Sequence, residues 1–152
     1  MSSTSTLPVL TVGVGDGLFA ANARAPFFLA QAAASHLAVH RGAIVNLVDI
    51  YADHPLAAHP IYSMSKAALA AMTKALARDL APNVRVNGVA PGAILWPEAG
   101  KNEAEQRAVI ERTPLKRVGT PDDIASAVAW LLDAEFVTGE IMRVDGGRHL
   151  VG

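Results

Sequence analysis

Two short apolar runs constrain this chain more than anything else in it. GAIVNLV (42–48) is rich in β-branched residues and reads as a strand buried on both faces. NVRVNGVA (83–90) is the next strand, ended by Pro91 and Gly92. Between the two lies a helix over 61–80 that brings Leu69, Met72, Leu76 and Leu80 inward, while Ala67, Ala68, Ala70, Ala71 and Ala75 leave a smooth flank. A last strand over 140–144 follows one more helix. Helices alternating with strands argue for an α/β architecture, a parallel sheet joined by helical crossovers.

The remaining elements fit that plan. Residues 16–40 read as a helix anchored by Leu18, Phe19, Phe27, Phe28, Leu29 and Leu37, with Pro26 expected to kink it or mark a joint. Thr120-Pro-Asp-Asp supplies an N-cap, a proline at the first helical position and acids in the first turn, so a helix starts there and buries Ile124, Val128 and Leu131. The polar stretch 96–112 contains KNEAEQRAVIER, a mobile helix suited to cover a substrate or simply to face solvent. Residues 1–15 read as a flexible N-terminal segment. Gly13, Gly15 and Gly17 give GxGxG there. A dinucleotide-binding turn needs its third glycine where Leu18 stands, and 31–40 has no acid for a ribose, so a pyrophosphate-binding role is disfavoured.

Composition removes several classes of function. A net charge of −1 gives no electrostatic argument for nucleic acid or an anionic membrane. Cysteine is absent, which excludes disulfides and thiolate chemistry. His54 and His59 share a loop with two prolines and match no metal pattern, so no metal site is expected. With no long apolar span and no convincing signal peptide, the expectation is a soluble cytoplasmic protein.

The chemistry gathers where the first strand meets the long helix. Tyr62 and Lys66 lie four apart on one helical face. A phenol with a pKa near ~10 is a poor proton donor at neutral pH, and a fixed ammonium nearby would lower it. Asp49 comes thirteen residues before Tyr62, at the strand's end, where α/β sheets collect functional side chains. A purely structural Asp49, capping the following turn, is the alternative.

Asn22, Asp49, Tyr62-x-x-x-Lys66, Pro91–Gly92 and the VDGG of 144–147, in that order, resemble the short-chain dehydrogenase/reductase family. Asp49 where that family usually carries Ser, together with VNGVAPGAILWPE (86–98), resembles its pteridine reductase branch. The resemblance runs over 16–152. It implies a partial Rossmann-type, doubly wound parallel sheet of about three strands, with the N-terminal nucleotide-binding half missing. It also implies an oxidoreductase that moves hydride from NADPH to a pterin-like substrate. Tyr62 would donate the proton, Lys66 would bind the nicotinamide ribose and lower the phenol's pKa, and Asp49 would relay a proton near a ring nitrogen. Asn22 would sit on a bent helix and support a water-linked path to Lys66, or else serve only the backbone groups freed by Pro26. Pro91, Gly92 and Ile94 would touch the nicotinamide, with an ordinary strand-ending turn as the other reading. The helices over 16–40 and 61–80 would make a homo-oligomer. The rivals are a generic carbonyl reductase and a non-catalytic remnant that serves only association.

Overall fold

The structure is a computed structural model and describes residues 11–95 and 102–151. In chain order it contains α1 (Val12–Phe19), α2 (Ala25–Val39), β1 (Ala43–Leu47), α3 (Pro60–Asp79), β2 (Arg85–Pro91), α4 (Glu103–Arg112), α5 (Pro121–Asp133) and β3 (Ile141–Val144). A π-helical segment, Ala20–Arg24, joins α1 to α2. The three strands form one parallel sheet in the order β1-β2-β3.

Central β2 carries the core. Val86 and Val89 are fully buried, and Ala90 nearly so. Val86 joins Val84 and Ala77 of α3, with Leu76, Leu80 and Ile44 packed around them. The neighbouring side chain, Arg85, donates instead to the Leu131, Leu132 and Ala134 carbonyls at the end of α5. Successive strand residues face opposite ways, so α3 and α5 cover opposite faces of the sheet. Burying Asn87 would be costly without partners. Its amide donates to the Val137 carbonyl at 2.9 Å and its oxygen accepts from the Glu140 N–H at 3.0 Å, which sets the entry into β3.

The helix starts follow the sequence closely. Thr120 and Asp123 form a reciprocal capping box at α5, and Asn102 and Glu105 form another at α4. Leu131 is fully buried beneath α5, while Ile124 and Val128 are half-buried.

Four expectations change. α1 starts at Val12, so 12–15 are helical rather than part of a flexible segment, and Thr11 caps them. Pro26 does mark a joint, but the distortion lies before it. Proline has no N–H for the Asn22 carbonyl and its ring crowds that carbonyl, so the preceding turn widens and the Ala25 N–H reaches the Ala20 carbonyl. Phe19, Phe27, Phe28 and Leu29 do not anchor this helix. They are exposed, Phe28 by 57% and Leu29 by 70%, because Ala30 is the residue α2 turns to the interior. Finally, α3 buries Leu69 as expected, but Met72, Leu76 and Leu80 are only half-buried, and Thr73 and Ala77 are buried in their place. Residues 1–10 and 96–101, including the Trp96-Pro97-Glu98 part of the family-like stretch, lie outside the described residues. No described helix is long and apolar enough to cross a membrane.

Candidate active site

Tyr62 and Lys66 extend the face of α3 that continues through Leu69 and Thr73. Thr73 fixes that face against the sheet, giving its hydroxyl to the Leu69 carbonyl at 2.8 Å and accepting from Asn46 of β1 at 2.9 Å. The start of α3 is thereby held beside the C-terminal end of β1. Lys66 Nζ reaches the carbonyl of Leu47, the last residue of that strand, at 3.1 Å.

Asp49 follows β1 with an extended backbone and divides its carboxylate between two tasks. Oδ1 accepts from the Tyr51 N–H at 2.9 Å and caps the short turn Ile50–Ala52. Oδ2 accepts from the Tyr62 hydroxyl at 2.6 Å. The capping and the site readings of Asp49 therefore hold together, one oxygen each.

That second bond reverses an expectation. Lys66 was expected to lower the phenol's pKa, yet Tyr62 is held well above the ordinary phenol range. Burial is the largest cause, and the hydrogen bond and negative charge of Asp49 add to it. Lys66 does not offset them: its ammonium sits 6.0 Å from the centre of the Tyr62 ring and is tied to the Leu47 carbonyl. Burial pushes Lys66 itself downward, against the opposing pull of Asp49. The pair thus keeps the phenol protonated. A neutral serine in place of Asp49 would not add that charge.

Asn22 lies on the widened turn and points at Ser65, donating from Nδ2 to its Oγ at 3.0 Å. Ser65 in turn donates to the Tyr62 carbonyl at 2.7 Å. This Asn22–Ser65–Tyr62 chain braces the first turn of α3, and the Asn22 side chain contacts Ser65 rather than Lys66. Ser65 was missed from the sequence. The available signal was a small polar residue next to Lys66, on a helix whose other small residues are nearly all Ala. Ser63, also missed, accepts from the Leu56 N–H at 3.0 Å and ties the preceding loop to α3. His54 and His59 are exposed in that loop, and no metal-binding cluster occurs among the described residues.

Pro91 ends β2 and Gly92 donates to the Val144 carbonyl at 3.1 Å. A Cβ at Gly92 would stand 2.7 Å from the Asp145 Cβ and 2.8 Å from its Cα. Close approach of β3 therefore requires glycine here before any ligand is considered. Ile94 follows in a loop that the Gly119 N–H holds by the Ala93 carbonyl at 2.9 Å. The VDGG stretch also has an internal role. Burial pushes Asp145 up, but bonds from the His149 backbone and ring and the Gly147 N–H outweigh it and hold the carboxyl low.

Comparison with known proteins places this arrangement. The family model described as Enoyl-(Acyl carrier protein) reductase matches residues 14–149. The chain belongs to the short-chain dehydrogenase/reductase family. It is 41% identical over 151 residues to Tropinone reductase-like 3 of Erythroxylum coca, covering 95% of this chain and 58% of that protein. It is 35% identical to Short-chain dehydrogenase/reductase homolog YusR of Bacillus subtilis, over 82% of this chain and 97% of that one. Its fold matches 7 alpha-hydroxysteroid dehydrogenase complexed with NADH and 7-oxo glycochenodeoxycholic acid, with a TM-score of 0.86, 30% identity, and coverage of 91% and 56%. The chain spans about half the length of curated relatives such as the coca protein.

The residues present fit the reactive end of a nicotinamide dinucleotide. An ammonium carries three donors. Lys66 gives one to Leu47, leaving two for the ribose hydroxyls, beside a protonated phenol at the strand ends. Gly13, Gly15 and Gly17 do not fit the pyrophosphate, because they lie within α1 rather than in an open turn.

Proposed function

We propose that this chain is the catalytic half of an NADPH-dependent reductase that delivers hydride to a carbonyl carbon. The observation that carries this reading is the protonated Tyr62 hydroxyl, bonded to Asp49 and one helical turn from Lys66. The bound dinucleotide supplies the hydride. Tyr62 gives its proton to the new alcohol oxygen. Lys66 supplies positive charge on the same helical face as the phenolate forms, and the Asp49 carboxylate is placed to take up a proton from solvent and pass it to that phenolate. Asn22 and Ser65 keep the first turn of α3 in position. Reduction of a carbonyl is supported by the likeness to Tropinone reductase-like 3 and to Carbonyl reductase family member 4.

A second reading, reduction of a pterin ring, rests on Asp49 and the stretch VNGVAPGAILWPE (86–98), since an acid suits basic ring nitrogens better than a simple carbonyl. The two are separated by Asp49→Ser in the chain joined to a dinucleotide-binding half from a relative. A carbonyl reductase retains reduction of a neutral ketone after the change. A pterin reductase loses dihydropterin reduction selectively. We also propose that the exposed face of α1 and α2, with Phe19, Phe27 and Phe28 bordering a hollow with Met72, packs against a second copy of the chain.

A further inference from the structure

Beside the Tyr62–Asp49 pair lies a cavity of about 450 Å³. Ile50 and Tyr51, which directly follow Asp49, form one wall. Leu56, tied to α3 through Ser63, forms another. The third comes from Arg112 at the end of α4 and Arg148 in the C-terminal turn. The cavity is thus walled by residues that follow Asp49 directly in the chain, while drawing its charge from elements that the proton-transfer chemistry does not use.

Among the described residues, no carboxylate lines this cavity. The nearby Asp145 is engaged by Gly147 and His149. Arg148 Nη1 is buried and lacks a hydrogen-bond partner, the one such side-chain atom among the described residues. A buried guanidinium nitrogen without an acceptor is costly, and the fold fixes it there all the same. Gly146 and Gly147 take positive φ of 65° and 84°, and the Leu150 N–H closes the turn on the Gly147 carbonyl at 3.0 Å. Arg112 and Arg148 lining an otherwise partly apolar hollow call for an anion with a short carbon chain. The planar fork of arginine matches a planar carboxylate in two parallel bonds. Ile50 and Leu56 suit the carbon segment between that carboxylate and a carbonyl at Tyr62.

We propose that this cavity receives the carboxylate of a small keto acid, clamped by Arg148 with Arg112 at the rim. The inference rests on the carbonyl-reductase reading and names the substrate class for it. The test is an amide-detected NMR titration of the 152-residue chain with three probes: acetoacetate, methyl acetoacetate and inorganic phosphate. Acetoacetate should shift the Ile50, Tyr51, Arg148 and His149 amides with a Kd on the order of 1 mM. The ester and phosphate should each bind about tenfold weaker or worse. Arg148→Gln should weaken acetoacetate about tenfold, and exposed Arg112→Gln severalfold, so the idea stays testable if the first variant folds poorly. Equal binding of acid and ester, phosphate as tight as acetoacetate, or wild-type affinity in both variants would each overturn it. None of those results touches Tyr62 or Lys66, so the reductase reading would stand. Conversely, failure of hydride transfer to a neutral ketone, with acetoacetate binding intact, strikes that reading and leaves the anion site.

Discussion

Removing the charge at Asp49 while keeping its shape isolates what the carboxylate does to Tyr62. In Asp49→Asn one of the two carboxylate oxygens, which accept from the Tyr51 N–H and the Tyr62 hydroxyl, becomes an NH2 group, and whichever faces the phenol is uncharged. Burial, the largest cause of the raised phenol, remains, so the midpoint should stay above the ordinary value of 10.0. A hydrogen bond to a charged group contributes roughly 1.5–3 kcal/mol. Tyr62 is only half-buried and solvent screens it, so the lower end applies. At about 1.36 kcal/mol per pH unit, the midpoint should fall by about one unit. The sign for stability follows. A phenol raised in the folded state contributes stability below its unfolded midpoint and loses it as pH climbs through the folded one. Asp49→Asn should therefore leave the onset of alkaline destabilisation near the unfolded midpoint and reduce its total by about 1.4 kcal/mol, the window closing at a lower folded midpoint. The assay is phenolate absorbance after a rapid pH jump, with Tyr62→Phe separating Tyr62 from Tyr51, the other tyrosine. An unmoved or higher Tyr62 midpoint in Asp49→Asn would refute the claim that Asp49 holds this proton in place.

Three further outcomes follow from the packing. Burial lowers Lys66 in the folded chain, so its ammonium costs stability at neutral pH; the wild type should gain on Lys66→Met as pH rises toward 10.5, read as a narrowing difference in melting temperature. Gly92→Ala should cost about 1–3 kcal/mol in thermal unfolding without any nucleotide present, because the new methyl meets Asp145 at 2.7 Å. Phe28→Ser, which removes an exposed ring from α2, should lower the mass seen in light scattering without lowering the melting temperature of the subunit.

Much of this arrangement was legible in the residues. The Thr120 N-cap and the i, i+4 spacing of Tyr62 and Lys66 are local signals that the fold keeps; the β-branched run before Asp49 does form a strand, but at the sheet edge, half-buried and with Leu47 exposed, not buried on both faces. The parallel sheet with helical crossovers also followed from alternation. Electrostatics did not follow, because the spacing of Tyr62 and Lys66 does not say where Nζ points. Only the fold shows it turned to the Leu47 carbonyl while Asp49 takes the phenol. Nor could hydrophobicity tell which face of α2 turns outward: Phe27, Phe28 and Leu29 cover three successive directions around a helix and only tertiary packing chooses among them. Ser65 was hidden for a related reason, since its value lies in a bond to Asn22, 43 positions away.

The central claim is that Tyr62 is the proton donor of a nicotinamide-dependent carbonyl reduction. It is tested most directly by NADPH oxidation in the chain joined to a dinucleotide-binding half, with Tyr62 or Phe at position 62. A lost general acid typically costs ~100-fold or more, so Tyr62→Phe should lower kcat on every carbonyl substrate by at least that factor while leaving NADPH affinity within severalfold. Retention of kcat in Tyr62→Phe would contradict the account.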